Sequence, residues 1–279
     1  MQSRHWLSGL ALLLLAAPAA TDPLTANTSL ERLPARAMSA ELEISSFDAD
    51  AYHSEGPSQR IPGDLRFVTA HLRVSWAPSA RLAYGAEIPY RIVEYAPALG
   101  SGELRNRGVA GAAVFVDLSH DFLQGDATLR VGYLRTAKVD DPVLSISDGA
   151  DRLSVTYAIA AGEDVRPWTG YLRAGFVGAR ARLPEESQYG QGWIQIAAGR
   201  RIAPRIDLLL AASSSIATSA REEGSFLSKR TSRGNDAGLM LQWFVTEDVR
   251  MRLSATQTFG LVERLDGLRV VLSSRLLFR

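Results

Sequence analysis

Cysteine is absent from the 279 residues, so an exported domain built from this chain must hold together without disulfides. An excess of one charge is missing too. The formal net charge is +1 with 22% charged residues, which excludes a nucleic-acid footprint. Although 46% of the residues are hydrophobic, no apolar run after the N-terminal region approaches the roughly 18 residues of a membrane helix. Helical spans are therefore excluded, and any membrane role must come from alternation. Histidine is scarce, with four in the chain, which leaves few candidates for a catalytic dyad.

What is present begins at the N-terminus. Arg4 and His5 precede an apolar stretch whose core is Leu10 to Leu15, extended upstream by Trp6 and Leu7. The small-residue run Ala16-Ala17-Pro18-Ala19-Ala20 follows. That order predicts a secretory signal peptide over 1–20, cleaved after Ala19 or Ala20, and with no Cys there a lipid anchor is excluded. Residues 21–37, with Pro23 and Pro34, read as an irregular periplasmic lead-in, and 38–279 as a single domain.

That domain alternates. From Val68 to Trp76 the even positions are Val68, Ala70, Leu72, Val74 and Trp76, and the odd ones are Thr69, His71, Arg73 and Ser75. Successive strand residues face opposite sides, so the segment has one apolar and one charged face. The next segment sets Leu82, Tyr84, Ala86, Ile88 and Tyr90 against Arg81, Ala83, Gly85, Glu87 and Arg91. Such runs predict about twelve strands of roughly 9–13 residues, the length that crosses a bilayer at a tilt. They fall near 38–49, 64–76, 81–94, 108–118, 126–138, 152–162, 168–180, 192–201, 205–219, 236–246, 249–260 and 268–278. The expected fold is all-β: an antiparallel up-and-down transmembrane barrel of about 12 strands, placed in the bacterial outer membrane.

Connections support this reading. Links near 77–80, 119–125, 163–167, 202–204 and 247–248 are short, while those near 50–63, 95–107, 139–151, 181–191, 220–235 and 261–267 are mostly long and polar. Short turns facing the periplasm and long loops facing outside would alternate in this way. Aromatics on the apolar phase add a third line. Trp76, Trp168, Trp243 and Phe278 fall at expected periplasmic ends, and Tyr90, Tyr133 and Phe176 towards the opposite rim, predicting two interfacial girdles. Pro89 interrupts its strand near the outer end, where a bulge or a lost pairing is tolerated.

The stretch Arg81-Leu82-Ala83-Tyr84-Gly85-Ala86-Glu87-Ile88-Pro89-Tyr90, followed by a loop and the small-residue strand from Gly108, resembles a hairpin strand of a barrel family. That family comprises outer-membrane proteins named for the meta-pathway of phenol degradation. The resemblance implies a monomeric barrel that moves small, often aromatic or apolar, compounds, and it brings no catalytic residues. The chain departs from the pattern in lacking an acidic residue after Gly108 and in ending on Arg279 behind Phe278. Phe278, with Leu272 and Leu276 in phase, reads as the terminal strand recognised by barrel-assembly machinery.

The polar phase must line the interior. It gathers Glu41, Glu43, His71, Arg73, Arg81, Glu87, Asp117, Arg130, Arg173, Asp207, Arg250, Arg252, Arg269 and Arg275, with bases in the majority. Closure brings the first strand beside the last, setting Glu41 and Glu43 near Arg269 and Arg275. These side chains read either as a salt-bridge network or as an electropositive constriction favouring anions. Gly85, Gly111, Ala113, Gly132, Gly175, Ala197 and Gly199 on the same phase leave space beside the arginines.

The expected function is passive passage of small solutes, anionic or aromatic, with outer-membrane lipid and lipopolysaccharide as surroundings. The alternatives are an envelope hydrolase or a non-conducting structural or binding barrel. For an enzyme, His53 with Asp48 or Asp50 is the candidate, against a plain polar loop. Asp140, Asp141, Asp148 and Asp151 read as a solvated loop rather than a Ca²⁺ site, and no cofactor or metal is expected.

Overall fold

The computed structural model describes residues 32–53, 59–98, 102–123, 125–137, 149–161, 167–181, 187–223, 226–262 and 264–279. Residues 1–20, expected to be a signal peptide, most of the expected lead-in, and Asp140, Asp141 and Asp148 lie outside the described residues.

Strand segments follow one another in chain order: β1 (Met38–His53), β2 (Gln59–Ser79), β3 (Leu82–Pro97), β4 (Leu104–Val109), β5 (Gly111–Phe122) and β6 (Gly125–Thr136). They continue as β7 (Ala150–Ala161), β8 (Trp168–Ala181), β9 (Ser187–Ala203), β10 (Ile206–Glu223), β11 (Phe226–Phe244), β12 (Val249–Val262) and β13 (Arg264–Phe278). Apart from β4 and β5, each pairs antiparallel with the next in the chain, and β1 pairs with β13 from Met38↔Phe278 to His53↔Arg264, closing the sheet. β4 and β5 both pair with β3 and are two halves of one barrel strand, so the wall is a closed 12-strand barrel.

Pro89 causes the division. Without an N–H it cannot donate to the ladder; its carbonyl instead accepts from Ala110 N at 2.8 Å. Between the pairs Glu87↔Ala113 and Tyr90↔Val109, two residues of β3 face three of the opposite strand, which is a β-bulge.

The two faces are inverted relative to a water-soluble protein. On β2, Leu72, Val74 and Trp76 are 51%, 43% and 49% exposed, whereas His71 and Arg73 are each 3% exposed. A barrel with apolar residues outside and charged residues inside suits hydrocarbon as its solvent, and closure leaves no edge of unpaired backbone groups there.

One expectation changes at the outer end. Much of 50–63, 95–107, 181–191, 220–235 and 261–267 is strand rather than loop, so the connections shrink to 54–58, 98–103, 182–186, 224–225 and 263. The β10–β11 ladder runs without a break to Glu223↔Phe226. Past the lipid, water tolerates polar residues on both faces, so pairing persists where alternation has stopped. The connection 137–149 alone among these remains long.

Residues 32–37 lie against the end where the short turns sit. Arg36 N donates to Ala77 O at 2.7 Å and Ala77 N to Ala37 O at 2.9 Å, while buried Leu33 packs with Ala77, Ala83 and Leu277.

Candidate functional site

Closing the sheet sends every second side chain inward. Among the described residues that phase carries Arg73, Arg91, Arg130, Arg152, Arg173, Arg201, Arg250, Arg252, Arg269 and Arg275. Opposing them are Glu41, Glu43, Glu87, Asp117, Asp121, Asp126, Asp207 and Asp236. Base exceeds acid inside a chain that is nearly neutral. Arg73, Arg130 and Arg173 are each 3% exposed and Asp207 2%, so side chains fill the interior at these levels instead of flanking a wide water column.

Register explains who meets whom. Arg275, Glu41, Arg73 and Glu87 occupy one row across β13, β1, β2 and β3. Arg73 donates from Nη1 to Glu41 Oε2 at 3.1 Å and from Nε to Glu87 Oε2 at 2.9 Å, with a further short contact from Nη2 to Glu87. His71 Nδ1 lies 2.7 Å from Glu87 Oε1, with the carboxylate accepting. Glu43, one step up β1 and opposite His71, has an Oε2 without a hydrogen-bond partner.

On the adjoining wall Arg130 grips Asp117 with two parallel bonds of 2.7 and 2.8 Å, a bidentate match of planar groups. Its guanidinium lies 4.0 Å from the centroid of Phe115. Phe115 in turn lies across Gly85, where a Cβ would sit 2.7 Å from ring atom Cε1. Gly175 is covered in the same way by Trp193, whose Cζ2 would be 2.6 Å from a Cβ. Glycine is needed at both places because the ring occupies the side-chain position.

Arginine–aromatic stacking recurs around the wall. Arg173 lies 4.1 Å from the Tyr171 ring, Arg250 4.5 Å from Phe244 and Arg269 5.5 Å from Phe47. Arg201 bonds Asp207 at 2.8 Å, and Arg252 donates to Gln242 at 2.9 Å. Asp236 accepts from Ser213 and Thr258, both at 2.6 Å.

Beside Phe115 a pocket opens, lined by Glu87, Phe115, Arg130, Arg152, Ser154 and Gln191, with Leu134 and Val177 as apolar floor. It combines guanidinium, amide and hydroxyl groups with an aromatic surface, which suits a small solute having a charged end and an apolar body.

Arg81 departs from its expected place. It sits exposed in the turn before β3, and its carbonyl accepts from Ser119 N. Arg269 pairs in register with Phe47, four positions from the partner of Glu43, and closure sets Arg275 directly opposite Glu41. Asp48 is ion-paired to Arg66 at 3.2 Å on the outer surface. His120 is exposed at the turn end of β5, 3.3 Å from the Tyr157 hydroxyl.

Arg91, Arg152, Gln191, Phe115 and Trp193 join the interior beyond the sequence-derived set. Arg152 alternates with outward Leu153 and so carried a usable signal, whereas inward Phe115 and Trp193 contradict the rule of apolar residues outside. Outward, Trp76, Trp168, Trp243 and Phe278 are exposed at the short-turn end, and Tyr90, Tyr133 and Phe176 are exposed nearer the opposite rim.

At the short-turn mouth Arg32 donates from Nε to Ala80 O at 2.8 Å and from Nη1 to Asp126 at 3.3 Å, besides a short bond to Asp121. The bond to Asp121 raises the affinity of this guanidinium for its proton. One side chain thus ties residues 32–37 to two different hairpin ends.

No family model matches the chain, and no curated protein matches it. Solved structures do. The COG4313 outer membrane channel from Pseudomonas putida F1 superposes with a TM-score of 0.68 at 13% identity, covering 92% of this chain and 100% of that one. The beta domain of the Bordetella autotransporter BrkA superposes with a TM-score of 0.55 at 14% identity, covering 87% of this chain and 100% of that one. The fold is that of an outer-membrane β-barrel. At these identities the likeness shows the architecture.

Proposed function

We propose that the protein resides in the outer membrane as a narrow channel for small solutes, with anionic character favoured at its centre. The observation that carries this is the inward excess of arginine beside a cavity having both charged and apolar walls. Arginines facing a low-dielectric passage raise the local concentration of anions. Because many of them stack on aromatic rings or grip carboxylates, their charge is held in place. Resemblance of residues 81–90 to the family named for phenol degradation adds an aromatic or apolar body to the solute class. The fold's likeness to a channel from Pseudomonas putida F1 supports passage as the use of such an interior. Monomeric assembly belongs to the same reading.

The test is electrical. Full-length protein reconstituted in planar bilayers shows discrete, small conductance steps, and a salt gradient gives a reversal potential on the anion-selective side. Absence of steps at all potentials, with folded protein present, overturns the proposal.

A further inference from the structure

The outward face carries charge that passage of a solute does not use. Just beyond the apolar band the outward residues differ by sector. β13 and β1 to β3 present Asp266, Asp48, Asp50, Asp64 and Glu94, with Arg60 and Arg66 among them. From β4 to β8 the order is reversed: Arg105, Arg107, Arg135 and Arg180 stand against Asp151, with Glu103 just before β4. On β10 to β12 the corresponding residues whose side chains are described are Thr218, Asn235 and Gln257, with Arg233 above them.

Position narrows the meaning of the basic sector. Arg135 is the next outward residue after Tyr133, and Arg180 follows Phe176 with only Gly178 between them on that face. Arg135, Asp151 and Arg180 share one register row on neighbouring strands, which sets the two arginines roughly 10 Å apart. Arg105 is occupied by Glu94 at 3.0 Å, but among the described residues no ion pair holds Arg107 or Arg135. A guanidinium one step beyond an aromatic girdle lies at headgroup depth, where its natural counterion is phosphate.

We propose that the outward face of β4 to β8 binds the phosphorylated headgroup of an outer-leaflet glycolipid. Arg107, Arg135 and Arg180 meet the phosphates, and Tyr133, Leu153 and Phe176 lie beneath the sugar along the acyl chains. Arginine suits this role because its planar fork engages two phosphate oxygens at once. The inference rests on the outer-membrane part of the functional reading and not on conduction.

Full-length barrel in nanodiscs is offered lipid A carrying both phosphates, the same lipid A without phosphates, and phosphatidylglycerol, and retention is read by native mass spectrometry. Phosphorylated lipid A is expected to be retained over the other two. R107S with R135S should weaken it by about fivefold per residue, as for a basic group at an anionic surface. The pair R107K and R135K should retain most of the binding. The control pair R60S and R66S, on the other sector, should leave binding intact, and conductance should be unchanged throughout. Equal retention of all three lipids, equal competition by phosphatidylglycerol, or an equal loss in the control pair would overturn the proposal. Heat-modifiable gel migration verifies folding, and the single variants are read by the same criteria if the double variant fails it.

Discussion

Phe115 rests on Gly85 across the β3–β5 ladder, and the Arg130 guanidinium lies 4.0 Å from the centroid of the same ring. The glycine, the ring and the cation form one packed column, so a methyl group at position 85 must displace the ring and, through it, Arg130. G85A is expected to destabilise the barrel by about 1–3 kcal/mol, the usual range for overpacking. Urea unfolding in lipid vesicles measures it. Removing the ring removes the conflict, so G85A should cost much less in an F115A background. Additive losses in the double-mutant cycle would show that the two residues are independent.

The row around Arg73 makes a second prediction. R73A leaves Glu41 and Glu87 facing each other across the vacated site, and breaking a buried ion pair from one side costs about 3–5 kcal/mol. Neutralising the set together, with E41Q, R73M and E87Q, removes the uncompensated charge along with its partner. The triple variant should therefore unfold at higher urea than R73A alone, and the order of the two midpoints decides the point.

These contacts show how far the sequence could be read. On β2 the period of two was clean, and Leu72, Val74 and Trp76 face out while His71 and Arg73 face in. Pro89 announced its bulge because a missing N–H has few resting places in a ladder. The outer extension of β10 and β11 gave no such sign, since polar residues on both faces resemble a loop until their pairing is seen. Closure was foreseeable but its register was not: a closed barrel makes β1 and β13 neighbours, yet only the ladder shows that Arg269 meets Phe47 and Arg275 meets Glu41. Phe115 and Trp193 were hidden by their own chemistry, because an inward aromatic reads as a phase error unless the facing glycine is considered with it.

Arg32 supplies a prediction in which stability and conductance part company. Its pairs with Asp121 and Asp126 lie at a partly exposed mouth, where such pairs contribute about 0–1 kcal/mol. R32A should therefore leave the unfolding midpoint nearly unchanged. If residues 32–37 obstruct the mouth of a conducting barrel, the same variant should raise the mean single-channel conductance or the open fraction. Identical current traces for the two proteins would show that this tether does not govern passage.

Selectivity is best probed at Arg252 rather than at Arg73. Arg252 donates to neutral Gln242 at 2.9 Å and faces Ser273 on β13, so its removal leaves no carboxylate directly opposite it in either register. In R252S the lost hydrogen bond to Gln242, made by a charged donor, costs about 1.5–3 kcal/mol. The substitution also subtracts one positive charge from the inner wall. The reversal potential in a potassium chloride gradient should then move toward the cation side, with a smaller fall in the unfolding midpoint than in R73S. R73S moves the charge in the same direction but sacrifices the fold around Glu41 and Glu87, so a selectivity change there could not be separated from collapse of the wall. An unmoved reversal potential in R252S, with conductance retained, would show that arginine on β12 does not set the field along the path.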